Sequence, residues 1–319
     1  MALVKISELL KKSQESDFLI GAIECWNFES AIAIISAAEM TKSPVVLFAG
    51  EPAIKLLGLQ NLIRMMLDLA ENAEVKVACH LESVNETDIL LQAIRYGLKS
   101  VIYDGSELPF NENIKNSRDL ANAAHLEGAE VEAQLGSMPF SESGTGYENI
   151  DFSKHKTRLD EAEYFAANTG IDILAPNLGN VHGLYKQKIH DLDLDLANSL
   201  VKKIGLPITL HGGTGIPDEI IEDAKKSRLS MMYLATSIFE NFRICTKRNI
   251  DKKSGYGSIC DISILCRDNL KEYVAGRLNL MGSSRFENKN QFFSNEYIGY
   301  LVKVISDEIS KTGLKNINE

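Results

Sequence analysis

Eight short apolar runs, each rich in β-branched residues, recur along the chain at 20–25, 44–49, 75–81, 100–104, 130–136, 173–179, 207–211 and 231–236. Between them lie longer stretches with apolar residues at helical spacing, as at 29–40 and 87–96. Strands that alternate with helices form a parallel sheet, because parallel neighbours need a long crossover and the helix supplies it. Eight such units predict a closed (β/α)8 barrel of the TIM type rather than an open doubly wound sheet. No Gly-x-Gly-x-x-Gly turn follows an early strand, so a dinucleotide-binding fold lacks its phosphate fingerprint. A barrel of this kind holds about 250 residues or more in one domain. The chain is therefore read as a single domain, 1–319, with a helical extension from about residue 240 onward and a helix over 295–309. Stretches 137–156 and 250–261 are polar, contain Gly and Ser, and are expected to be loops. The first is a candidate lid.

Charge narrows the partners. Lys and Arg number 34 against 44 Asp and Glu, a net charge of −10. Nucleic acids and anionic membrane surfaces select basic proteins, so neither is expected. A small anionic ligand is still allowed, because one pocket can be positive in an acidic protein. The five cysteines include no Cys-x-x-Cys pair, which argues against a disulfide framework and fits a reducing cytoplasm. The first residues lack the long apolar core of a signal peptide. No run approaches the ~18 apolar residues that span a bilayer.

In such a barrel, chemistry gathers at the C-terminal ends of the strands. Read there, the third strand ends in His80-Leu81-Glu82-Ser83 and the fourth in Tyr103-Asp104-Gly105-Ser106. The fifth carries Glu132-Ala133-Gln134, and the sixth leads to His182-Gly183-Leu184-Tyr185-Lys186. The seventh ends in His211-Gly212-Gly213-Thr214-Gly215 and the eighth near Ala235-Thr236-Ser237. His182 and His211 each precede a glycine at a strand end, where ring nitrogens and backbone amides can face one ligand. His80, His125, His155 and His190 are read as structural or surface residues at least as readily. The turn Gly212–Gly215 precedes Pro217-Asp218-Glu219 at a helix start, and backbone amides there can cradle a phosphate. Barrel phosphate sites are often built from the loops after the seventh and eighth strands, here 212–215 and 235–237.

These segments resemble the class II, zinc-dependent fructose-bisphosphate and tagatose-bisphosphate aldolases. The likeness runs nearly end to end, through Asn27-Phe28-Glu29, the stretch Gly97-Leu98-Lys99-Ser100-Val101-Ile102-Tyr103-Asp104-Gly105-Ser106 and Val131-Glu132-Ala133. Its most specific parts are His182-Gly183-Leu184-Tyr185-Lys186, Leu210-His211-Gly212-Gly213-Thr214-Gly215 and the closing Gly282-Ser283-Ser284. The resemblance implies a lyase that reversibly cleaves a phosphorylated ketose into dihydroxyacetone phosphate and an aldehyde. A Zn²⁺ on three histidines would act as Lewis acid. It also implies a homodimer or homotetramer. The phosphate and substrate contacts carried over are Asn27, Gly183, Lys186, Gly212, Gly213, Thr214, Ala235 and Thr236.

The centre departs from that pattern. His182 and His211 match two metal ligands, but the third position reads Ser83. The family's proton-transferring Asp is Glu82, a usual Glu is Gln134, and a substrate-touching Asn is Tyr233. Two readings of the metal stand side by side. In one, Glu82 or Asp104 joins His182 and His211 in a two-histidine, one-carboxylate site, with Glu24 more distant. In the other, the site holds no metal. Glu82 and Tyr233 are the expected catalytic residues, with Glu24 as a further candidate. A Schiff-base route is disfavoured, because Lys76 and Lys99 stand at strand starts, the wrong end. The alternatives to an aldolase are a non-catalytic sugar-phosphate-binding paralogue and different carbon–carbon chemistry on the same barrel.

Overall fold

The computed structural model describes residues 2–84, 86–141, 154–183, 192–252, 255 and 257–286. The strands are β1 (Ile20–Glu24), β2 (Val45–Ala49), β3 (Val77–Val84), β4 (Ser100–Asp104), β5 (Glu130–Leu135), β6 (Phe140–Ser141), β7 (Ile173–Pro176), β8 (His182–Gly183), β9 (Ile208–Leu210) and β10 (Leu229–Leu234). Eight of them close a barrel in the order β1-β10-β9-β7-β5-β4-β3-β2. Every pairing in it is parallel. All eight predicted runs are found; five end one to three residues early, while β3 runs three residues further, to Val84, and β10 begins two residues sooner, at Leu229. Strands β6 and β8 were not foreseen. They form a separate parallel pair, with Phe140 opposite His182, and a two-residue pairing leaves no periodic trace in a sequence.

Alternation along each strand sorts side chains into two compartments. Val45, Leu47, Val101, Val131, Ala133 and Leu210 point outward into the layer shared with the helices. Ile20, Ala22, Val46, Phe48, Ala78, Met231 and Tyr233 point into the barrel. The inward positions left over are the polar ones: Glu24, His80, Ser100, Glu132, Gln134, Thr209 and His211 are all buried.

The N-terminal end of the barrel is sealed. Helix Ile6–Gln14 packs Ile6, Leu9 and Leu10 over that opening beside Phe18. Its first turn is fixed by Glu130, whose carboxylate accepts from the Ser7 backbone N–H at 3.2 Å and from the Ser7 hydroxyl. A carboxylate at a helix N-terminus meets unpaired amides and a favourable dipole. The two lysines set aside earlier lie at this end. Lys76 pairs with Glu8, and Lys99 donates to the Glu127 carbonyl.

The segment expected to be a loop over 250–261 is shorter than predicted, because helix Ser258–Met281 starts inside it. Gly257 adopts a left-handed conformation immediately before that helix. The helix is part of the barrel wall. It lies against β1 so closely that a Cβ on Gly21 would stand 2.7 Å from Leu278 and 3.3 Å from Met281. Residues 142–153 of the candidate lid, Lys186, His190 and the helix predicted over 295–309 lie outside the described residues.

If this late helix belongs to the barrel's own core, Leu278→Ala lowers unfolding stability by about 2–5 kcal/mol. Leu265→Ala on the exposed face of the same helix changes it by less than about 0.5 kcal/mol. Urea denaturation of both variants checks this, and equal effects would show a helix that folds apart from the barrel.

Candidate functional site

The inward polar residues converge on Glu132. Thr209 Oγ1 donates to Glu132 Oε1 at 2.5 Å, and the Tyr233 hydroxyl donates to Oε2 at 2.6 Å. His211 Nε2 lies 3.4 Å from Oε1, and His80 Nε2 lies 3.5 Å from Oε2. The far nitrogen of His80 is fixed by Ser100 at 2.8 Å. Tyr233 is wedged among rings: 4.0 Å from His211 and 5.0 Å edge-on to Phe48, centroid to centroid.

Charge follows from this packing. Burial alone would push the Glu132 carboxyl up. Hydrogen bonds from His211 and Thr209 and the positive charge of His211, with the His80 ring alongside, hold it below its ordinary value. Burial would strip His211 of its proton, but the Glu132 hydrogen bond and charge, with Glu82 and Asp104 beyond, raise it above the ordinary imidazole value. His80 falls to about 4 because burial outweighs Glu132, so it stays neutral. Burial and the adjacent Glu132 lift the Tyr233 phenol well above its usual range. The hub is thus a carboxylate–imidazolium pair with a neutral phenol and a neutral imidazole around it.

Toward the mouth the site becomes acidic. Glu82 at the end of β3 is pushed up by burial and by the charges of Asp104 and Glu132, against the pull of His211. Glu24 at the end of β1 rises to about 8, through burial and the charge of Glu82. Its carboxylate fits because position 50 is glycine, where a Cβ would come within 3.2 Å of Glu24 Oε1. Gln134 turns its amide nitrogen to Ser106 at 3.1 Å.

His182 reaches the site by the β6–β8 pairing, with its backbone N–H on the Pro139 carbonyl at 3.0 Å. Its ring stacks on His211 at 5.7 Å and 25°. Burial and the neighbouring His211 charge lower it to about 3. Asn180 braces the same region by donating to the His211 carbonyl at 2.9 Å.

The glycine turn follows His211 directly. Thr214 Oγ1 accepts from the Ser237 N–H at 3.1 Å and reaches the Ser237 hydroxyl at 3.2 Å. This bond ties the loop after β9 to the first turn of helix Thr236–Asn249. Ala235 is the N-cap of that helix. Gly213, an expected phosphate contact, is packed tightly against β10. Its N–H is given to the Tyr233 carbonyl at 3.0 Å, and a Cβ there would stand 2.6 Å from that oxygen. Asn27 likewise spends its side-chain oxygen as an N-cap, accepting from the Ser30 N–H at 2.9 Å. Tyr233 reaches the barrel centre as expected, but its hydroxyl is directed onto Glu132 rather than into the mouth. Arg277 makes an ion pair with Asp218 at 3.0 Å.

The family that the sequence resembles is zinc-dependent, so the donor set can be tested against that ion. A catalytic zinc takes three protein ligands. His182 and His211 come together, but among the described residues no three His, Cys, Asp or Glu side chains are placed to hold one ion. Glu82 and Asp104, the expected third ligands, do not form such a group with the two histidines in this structure. His211 Nε2 is already turned to Glu132. These residues do not fit a three-ligand zinc centre.

The residue that sequence reasoning passed over is Glu132. It stands within the fifth strand, where no motif marks a role for it. The available signal was an acidic residue two positions from Gln134, on the inward face of a strand whose other face is Val131, Ala133 and Leu135.

Glu24 supports a pH prediction. Its folded pKa of about 8 exceeds the ordinary 4.5. Between those values the unfolded chain ionises and the folded one does not, so the group costs stability as pH rises. Glu24→Gln therefore gains nothing below pH 4.5, and its advantage grows to at most roughly 5 kcal/mol by pH 8. Thermal melts of both proteins at pH 4.5 and 8 read the difference. An advantage independent of pH would place Glu24 in water.

The model of the class II fructose-bisphosphate aldolases matches residues 4–285. A fructose-bisphosphate aldolase of Geobacillus stearothermophilus is 33% identical over 289 residues, 89% of this chain and 98% of the relative. A probable fructose-bisphosphate aldolase of Bacillus subtilis is 36% identical over 230 residues, 71% of this chain and 78% of the relative. Among solved structures, a putative fructose-1,6-bisphosphate aldolase from Coccidioides immitis superposes with a TM-score of 0.79 at 25% identity, covering 89% of this chain and 98% of that one. The YdjI aldolase of Escherichia coli K12 gives 0.76 at 25% identity, covering 91% and 100%. On barrel, site and relatives together, the chain belongs to the class II fructose-bisphosphate aldolase family.

Proposed function

We propose that this chain catalyses the reversible aldol cleavage of a phosphorylated ketose into dihydroxyacetone phosphate and an aldehyde. One juxtaposition carries the reading. The glycine turn tied to a helix N-terminus through Thr214 and Ser237 begins one residue after His211, whose ring belongs to the imidazole–carboxylate cluster. A phosphate held by the turn places the carbon skeleton of its ester beside that cluster.

Cleavage asks three things of the protein. A base takes the proton of the hydroxyl beside the scissile bond. The bond's electrons move onto the carbonyl, giving an enediolate and a free aldehyde. A proton then returns to carbon. Glu82 is the base, because its raised pKa makes it a stronger proton acceptor than an ordinary carboxylate. The same carboxyl, now protonated, returns the proton. His211, kept charged by Glu132, stabilises the developing oxyanion. Thr209 and Tyr233 act through Glu132 by fixing its orientation. Gly183, Lys186, Gly212, Thr214 and Thr236 are the proposed phosphate contacts, with Asn27 and Ala235 ordering the adjoining helix starts. Because the donors do not fit zinc, no step is assigned to a metal.

Membership in this family supports assembly as a homodimer or homotetramer. Five free cysteines support a reducing compartment such as the cytoplasm. Among the described residues no helix is long and apolar enough to cross a membrane. The second reading, a sugar-phosphate-binding paralogue without activity, draws on Gln134 standing where the family usually has Glu.

Incubation of the full chain with fructose and tagatose mono- and bisphosphates, coupled to triose phosphate detection, tests the proposal. Cleavage of at least one is expected. Glu82→Gln lowers kcat by about 10²-fold or more, while Thr214→Val raises KM by about 5- to 10-fold with kcat little changed. Tight binding of these sugars with no triose phosphate formed would establish the paralogue instead.

A further inference from the structure

We infer that this barrel has exchanged its family's metal centre for a hydrogen-bonded hub on Glu132, in which Tyr233, Thr209 and His211 occupy the place of an ion and its ligands. The inference deepens the aldolase reading and rests on it only for the reaction being served. Its observations are independent of activity.

The first observation is the state of the donors. Both Glu132 oxygens are taken, one by Thr209 and His211, the other by Tyr233 with His80 close by. His211, one of the two surviving histidine positions, directs Nε2 to that carboxylate. The second is space. Tyr233 stands where the resemblance has a much smaller Asn. Its ring lies 4.0 Å from His211 and edge-on to Phe48, filling the barrel centre between β9 and β2.

The third observation is charge. Glu24, Glu82, Asp104 and Glu132 all approach one end of the barrel. A divalent cation there would offset two negative charges, and deleting it alone would leave buried carboxylates facing one another, at a cost of several kcal/mol each. The replacements act in the compensating direction. Gln134 removes one carboxylate, and Tyr233 brings a hydroxyl donor to another. Ser83 removes the imidazole that had no further use. Ser83, Gln134 and Tyr233 thus form one coordinated change, in which losing the ion and rebuilding the charge balance go together.

The test is metal occupancy of the purified full chain. Wild-type protein dialysed against micromolar Co²⁺ is expected to retain well under one ion per chain and to show no visible absorption from tetrahedral cobalt. The variant Ser83→His/Tyr233→Asn restores three histidines and the space, and is expected to take about one Co²⁺ per chain with that absorption. Circular dichroism confirms that it is folded, and if it is not, the wild-type measurement decides alone. Stoichiometric Co²⁺ in the wild type, lost in His182→Ala, overturns the exchange whether or not any sugar is cleaved. Absence of cleavage in a protein free of metal defeats the aldolase reading and leaves the exchange standing.

Discussion

A carboxylate buried in the middle of a β-barrel must be answered by donors or it will not stay ionised. Transfer of such an ion out of water costs several kcal/mol even after relaxation. Glu132 is answered from two other strands, by Thr209 on β9 with His211 just past its end and by Tyr233 on β10, while the neutral His80 ring of β3 stands 3.5 Å away. Those bonds fix the relative heights of the strand ends, orient the His211 ring and hold its proton. Everything above Glu132 inherits its geometry, including the glycine turn that starts one residue beyond His211.

The barrel's two ends carry opposite duties. The N-terminal end is closed by apolar packing of helix Ile6–Gln14 and by Glu130 at that helix's first turn. The C-terminal end carries Glu24, Glu82, Asp104 and the histidine pair. This division is expected of parallel barrels, where strand and helix ends at one face leave their loops free to vary while the other face secures the fold. Glu130 and Glu132 show it within one strand. Two residues apart and on the same face, one locks a helix to the base and the other organises the site.

Much of the fold was legible in the sequence. Strands written as Val-Val-Leu-Phe-Ala or Ser-Val-Ile-Tyr-Asp, each followed by helical spacing, are locally determined, since period and propensity act over a few residues. The glycine turn was legible for the same reason, as a run of glycines with one hydroxyl at the end of the seventh barrel strand. Three things were not. Strands β6 and β8, which carry His182 onto His211, are too short for any pattern. Gly213 reads as a phosphate contact, and only the structure shows that its N–H is given to the Tyr233 carbonyl. Asn27 reads as a substrate contact and also caps a helix through Ser30.

The sequence by itself determined the barrel, the family and the position of the polar, histidine-bearing face, because those depend on periodicity and on ordered local motifs. It also displayed the three replacements at 83, 134 and 233, but only as separate departures. The tertiary structure decided what they amount to. Residues 101 positions apart, Tyr233 and Glu132, meet at 2.6 Å, and burial at that meeting point sets which groups carry charge. Protonation and donor sharing depend on distance and dielectric, and neither is written in the order of residues along the chain.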